Sequence, residues 1–220
     1  MNAFGLTCQV EIAAVLCEHE YLSPHKTAVV LGVGHGGTSM VAAVVDALGF
    51  SCTDASSDPI PIAGNFERTS RPNVGDDEAT WFEKIIEINS RLDSWGFKDP
   101  SIYRFPSCRV HDALRNPYYL AVTKDTISVA QRRGQAADVS GLPSVLREVD
   151  QHQRQMLDWI YELPSAPLLG VSYQRAVSQS AEFVDYVIAF LAITVPPTQR
   201  TRAILRISPT GGYLRNEDIP

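Results

Sequence analysis

The chain has 220 residues, 45% of them hydrophobic and 20% charged, enough to bury one sizeable core in a domain of ordinary size. Its 19 basic and 25 acidic residues leave a formal charge of -6, which argues against a dedicated nucleic-acid binder, for which a pI above about 9 is the usual footprint. Any anion site must then be a local cluster of basic side chains and backbone amides.

At the amino end, Val10, Ile12, Ala13, Ala14, Val15 and Leu16 recur at helix-compatible spacing, predicting a helical extension over residues 1–26. The stretch has no early positive charge and carries Glu11 inside its apolar part, unlike a signal peptide. No run of about 18 apolar residues follows anywhere, so a membrane span is not expected and a cytoplasmic location is. Cys8, Cys17, Cys52 and Cys108 are widely spaced without a C-x-x-C pair; they read as reduced, mostly buried thiols, with no metal site.

"TAVVLGV" at 27–33 is a continuous apolar, β-branched run, the pattern of a strand buried on both faces of a parallel sheet. Glycines end it, and "TSMVAAVVDALGF" from Thr38 reads as a helix with Gly49 as its stop. Such a turn delivers free backbone N–H groups at a helix N-terminus, which is an anion site by construction. Residues 51–77 are rich in Pro, Gly, Ser and Asp and form a long loop of the kind that often carries function. A helix is predicted at about 78–92, with Trp81, Ile85, Ile88 and Leu92 on one face.

"SWGFKDPSIY" suggests a short strand or turn, "YYLAVT" at 118–123 a buried strand, and "KDTISVAQRRG" the start of a helix. A long amphipathic helix over about 143–162, a strand in "APLLGVSY" and a helix over about 180–192 complete the series. Strands alternating with helices imply an α/β fold. The expected architecture is a single domain over 1–220, a three-layer sandwich with a central parallel sheet and a P-loop-like strand-turn-helix.

The glycine turn fits more than one phosphate-binding pattern. Gly32, Gly34 and Gly37 satisfy G-x-G-x-x-G, and Asp54 follows about 20 residues later, where a dinucleotide fold places a ribose-binding acid. Gly32 and Gly37 followed by Thr38-Ser39 nearly satisfy the P-loop, but Thr38 stands where its lysine would be, which speaks against ATP hydrolysis.

A further pattern covers more of the chain. His35-Gly36-Gly37-Thr38-Ser39, then "GNFER", "WGFKDP", "PYYLAVTKDTISVAQRR" and "APLLGVSYQRAV…VIAFLAI" resemble, in that order, the segments of the sulfotransferase family, bacterial type, over roughly residues 27–192. The resemblance implies 3'-phosphoadenosine 5'-phosphosulfate as co-substrate, no metal, and a small-molecule or glycan acceptor. It implies that Gly34, His35, Gly36, Gly37, Thr38 and Ser39 surround the 5'-phosphate, with His35 in place of the usual Lys or Arg. Lys124 falls at the family's arginine for the 3'-phosphate and Arg132 at its serine, with Arg133 nearby. Tyr173 is implied to stack on adenine, though a core tyrosine reads equally well. Lys98 is implied to lie near the transferred sulfate, and Glu67 to act as base, with Asp46 and Asp99 as substitutes. The three substitutions at His35, Lys124 and Arg132 keep a non-catalytic nucleotide-binding module open, and the glycine fingerprint keeps an NAD(P)-dependent Rossmann-type oxidoreductase open.

Overall fold

The computed structural model describes residues 13–17, 25–52, 76–134 and 142–207. Glu67 and Asp54 lie outside the described residues. Five strands form one sheet: β1 (Ala13–Cys17), β2 (Lys26–Gly32), β3 (Ser94–Lys98), β4 (Pro117–Thr123) and β5 (Leu168–Ser172), in the order β1-β5-β4-β2-β3. The β2–β3, β2–β4 and β4–β5 pairs are parallel. Strand β2 is buried along its whole length, as the unbroken apolar run predicts. Its Ala28 and Val30 join the core on one face, and Val29 and Leu31 the core on the other, the alternation that a period of two imposes.

Helices cover both faces, giving the expected three layers. On one side, α1 (Thr38–Ala47) lies with the C-terminal helices. The core there joins Val41 and Val44 to Leu120, Val171, Phe183 and Val187. On the other side, α2 (Glu78–Arg91), α3 (Ser107–Ala113) and α5 (Leu142–Tyr161) enclose Trp81, Ile85, Phe97, Tyr119, Met156 and Trp159. Between α3 and α5 in the chain comes α4 (Thr126–Gly134), whose Val129 and Ala130 pack with Val33 and Val149 in a smaller cluster. Helices α6 (Tyr173–Ser178), α7 (Ser180–Phe190) and α8 (Pro197–Leu205) close the chain's described part.

One expectation is overturned at the amino end. Residues 13–17 are an edge strand rather than part of a helix, paired antiparallel to β5 from Ala13↔Val171 to Cys17↔Leu168. A short apolar run beside an open sheet edge satisfies its backbone groups by joining the ladder, and tertiary pairing outweighs the helical spacing. A second correction concerns the thiols: Cys52 is buried, but Cys108 is exposed.

Candidate functional site

The sheet order sets the site. Because β2, β3, β4 and β5 run parallel, their carboxyl ends leave one edge of the sheet, where ligands of open α/β sheets bind. Gly32, Lys98, Thr123 and Ser172 end those strands. The residues that follow are the β2–α1 turn, Lys124 and Tyr173, so pairing alone gathers most of the positions that sequence reasoning singled out.

The turn is held by its own backbone. The Gly36 N–H donates to Val33 O at 2.7 Å, which takes that amide away from any ligand. His35 and Gly37 adopt left-handed conformations, with φ of 67° and 96°. A side chain at Gly37 would also collide with the Tyr173 ring, so both backbone strain and space demand glycine there. Gly37 is the N-cap of α1, and the first turn closes with Met40 N–H donating to Gly37 O. The amides of Gly37, Thr38 and Ser39 precede that bond and are the donors a helix N-terminus presents. Thr38 is 3% exposed, and Gly32 leaves room for its methyl group.

Lys98 is a buried member of this site. It is 5% exposed, and its Nζ donates to Ser39 Oγ at 3.1 Å, bringing an ammonium from β3 to the first turn of α1. Its sequence neighbour Asp99 is committed elsewhere: its Oδ1 accepts from Ser101 N–H at 2.8 Å and its Oδ2 lies 3.4 Å from the Arg104 guanidinium.

Three more cations close the ring. Lys124 follows β4, and Arg132 and Arg133 lie on α4. Partial burial first, then Arg133, Arg132, Lys98 and Lys124, hold the His35 imidazole below its ordinary 6.5, as crowding by like charge requires. Burial first, then Arg132, lowers Lys124 as well, against an opposing pull from Asp125. Lys124 thus feels the positive charge of Arg132. Arg133 pairs with Glu148 of α5 at 2.8 Å and packs over Gly34, where a Cβ would meet its guanidinium at 3.1 Å. Glu148 sits on the polar face of a long helix, and nothing in the sequence signals this pairing.

The loop after β4 is fixed by capping and by α5. Asp125 Oδ1 accepts from Ser128 N–H at 2.8 Å at the start of α4, and this bond depresses its pKa. Gln153 of α5 accepts from Thr126 Oγ1 at 3.1 Å and donates to Lys124 O at 3.5 Å; its position on α5 gives no hint of this role either. Tyr173 is engaged, with Gly37 against its ring and the Lys124 ammonium 4.7 Å from the ring centroid.

Asp46, one substitute base, is not at the site. It lies near the far end of α1, where its carboxylate accepts from Cys52 N–H at 3.0 Å. Eight residues of helix separate it from Thr38, about 12 Å at 1.5 Å per residue.

The dinucleotide pattern also loses its second element. The strand beside β2 is β3, ending in Lys98, rather than "FSC", which contributes only the bridge Ser51↔Trp95 beyond β3. A cation thus stands near where a ribose-binding acid is required. Among the described residues no group of His, Cys, Asp or Glu is placed to hold a metal ion, and no helix is long and apolar enough to cross a membrane.

No protein-family model matches the sequence, and no curated protein matches it. Solved structures do match its fold. The sulfotransferase domain of the Synechococcus PCC 7002 olefin synthase superposes with a TM-score of 0.56 at 12% identity, over 88% of this chain and 82% of that one. The sulfotransferase domain of the curacin biosynthetic pathway gives 0.50 at 12% identity, over 91% and 86%. A mouse sulfotransferase complexed with PAP gives 0.52 at 13% identity, over 84% of this chain and 64% of that one. Likeness at this identity speaks for architecture, and the chain has a sulfotransferase-like fold.

Proposed function

We propose that the chain moves a sulfuryl group from 3'-phosphoadenosine 5'-phosphosulfate to an acceptor hydroxyl. The observation that carries this reading is the cluster of Lys98, Lys124, Arg132, Arg133 and His35 around one helix N-terminus, in a chain of net charge -6. Basic side chains gathered beside a helix N-terminus in an acidic chain are what a polyanionic ligand would use. The amides of Gly37, Thr38 and Ser39 receive the 5'-phosphate, beside the turn that Gly34 and Gly36 keep narrow. Lys124 and Arg132 take the 3'-phosphate, and Lys98, anchored on Ser39, faces the transferred group. Tyr173 lines the nucleotide side; with Lys124 already over its ring, adenine stacking requires that ammonium to swing onto phosphate.

In the transfer, the acceptor oxygen forms a bond to sulfur as the sulfur–oxygen bond to the 5'-phosphate breaks. The bonding pair leaves on that phosphate, where Lys98 and His35 stabilise the growing charge. The acceptor proton goes to a base, which we assign to Glu67; Asp99 is held by Arg104 and Ser101 and is the weaker choice. Support comes from the cation cluster and from the fold shared with sulfotransferases, one of them complexed with PAP.

A titration with PAP, here 3'-phosphoadenosine 5'-phosphate, tests the reading against ADP and NAD. At 100 times its Kd, PAP should raise the unfolding free energy by roughly 2.7 kcal/mol, while ADP and NAD at the same concentration give much less. Stabilisation by NAD alone would return the oxidoreductase reading. Glu67→Gln should lower turnover by roughly 10² to 10⁴ with PAP affinity nearly unchanged. If PAP binds and no acceptor is ever sulfated, the non-catalytic module is the better description.

A further inference from the structure

Beside the anion loop lies a cavity of about 180 Å³, lined by Val33, Gly36, Val122, Val129, Met156 and Leu157, with Thr123, Lys124 and Gln153 at its polar side. It shares Gly36 with the loop and Lys124 with the cation cluster, so its mouth borders the phosphate site while Met156 lines it away from the loop. The walls are aliphatic, and two of the three polar side chains there, those of Thr123 and Gln153, are hydrogen-bonded. Thr123 Oγ1 donates to Val171 O at 3.2 Å, and the Gln153 amide is bonded to Thr126 Oγ1 and Lys124 O.

We infer that this cavity holds the body of the acceptor, and that the acceptor is a compact apolar alcohol or phenol of about one ring. The inference rests on the sulfotransferase reading for the word acceptor. Lys124, at the polar side, is the one cation among the described lining residues and is already assigned to the 3'-phosphate; deeper in, a phosphate or ribose would lose its hydration against Val33, Val122, Val129 and Met156 without gaining partners there. A sugar or a peptide backbone has the same difficulty at every hydroxyl or amide. A ring does not: an aliphatic cavity of roughly 150 Å³ is enough to take up benzene. One hydroxyl on such a body would point out past Gly36, toward the anion loop. Leu157, 57% exposed at the rim, gives the mouth an apolar lip that a small hydrophobic molecule can cross.

The test uses para-fluorophenol as probe, followed by fluorine NMR on the full chain, with PAP affinity measured in parallel by calorimetry. Two variants block the cavity at different places: Met156→Trp fills its floor, and Leu157→Asp charges its exposed lip, where folding is not at stake. Wild type should bind the probe saturably, and both variants should weaken it about tenfold or more while PAP affinity stays within about twofold. Absence of probe binding by wild type overturns the inference. So does equal probe affinity in wild type and Leu157→Asp, or displacement of the probe by N-acetylglucosamine rather than by phenol. Failure of PAP to bind wild type would instead strike the sulfotransferase reading, and the probe titrations decide the cavity's occupant class separately.

Discussion

His35 stands exposed at the tip of the β2–α1 turn, in a left-handed conformation and within the field of four permanent cations. Partial burial, then Arg133, Arg132, Lys98 and Lys124, keep its pKa below the ordinary 6.5 in the ligand-free chain. A phosphate dianion among those cations reverses the sign, because a nearby negative charge favours the imidazolium. Binding therefore takes up a proton between the lowered free value and the raised bound value. PAP affinity should rise as pH falls through the bound pKa and level off below the free one, which lies under 6.5, and calorimetry in buffers of different ionisation enthalpy should show net proton uptake. His35→Lys, charged throughout this range, should flatten the profile; a profile that survives the substitution puts the titration elsewhere. Ligand-free stability follows the opposite rule. With the folded pKa depressed, the unfolded chain binds the proton more readily, so stability declines as pH drops through 6.5 toward the folded value.

At the scale of elements, an internal lysine ties a strand to a helix end. Lys26 opens β2, is buried, and its Nζ donates to Leu191 O at 2.7 Å and Ala192 O at 3.1 Å, just past the end of α7. A helix C-terminus leaves carbonyls without intrahelical partners and favours a cation there. Lys26→Met keeps the stem and removes the donor, so unfolding free energy should fall by about 1–3 kcal/mol, read from urea denaturation. PAP affinity should not change, since β2 carries the glycine turn at its other end, about 20 Å away. A large loss of PAP binding would mean that α7 and the anion loop are coupled. This tie is invisible in the sequence because it joins residues 165 apart.

The elements legible in the sequence are those with strong local patterns: β2, α1, α2, β4, α4, α5, β5 and α7 fall where the sequence places them. Helix α8 begins with Pro197 at its first position, a start signal that lacks the long apolar periodicity needed to make it stand out. Six-residue α6 is too short to show a period. At the site, glycine spacing announces the turn and the basic residues announce their sign. Which of them meet is beyond local pattern, since Lys98 reaches Ser39 only through β3 pairing beside β2, and Arg133 meets Glu148 only through α4 packing on α5.

Across the whole molecule, an acidic chain concentrates positive charge at one edge of its sheet. With net charge -6, the global field repels a polyanion, so affinity must come from short-range interactions within about a Debye length of 8–10 Å. Those interactions divide in two along the edge: the β2–α1 turn with Lys98 at one place, and Lys124 with Arg132 at the end of β4 and on α4. A nucleotide with phosphates at both its 5' and 3' positions can engage both, whereas ADP engages one. The double substitution Lys124→Ala with Arg132→Ala should therefore bring PAP affinity down to that of ADP and leave ADP affinity little changed. Removing these two cations should also flatten the salt dependence of PAP binding, which scales with the number of charge-assisted bonds to phosphate. Calorimetry at two salt concentrations reads both effects at once. Retained preference for PAP in the double variant would move the 3'-phosphate to Arg133, freed from Glu148, and Glu148→Gln would then be expected to tighten PAP binding rather than leave it unchanged.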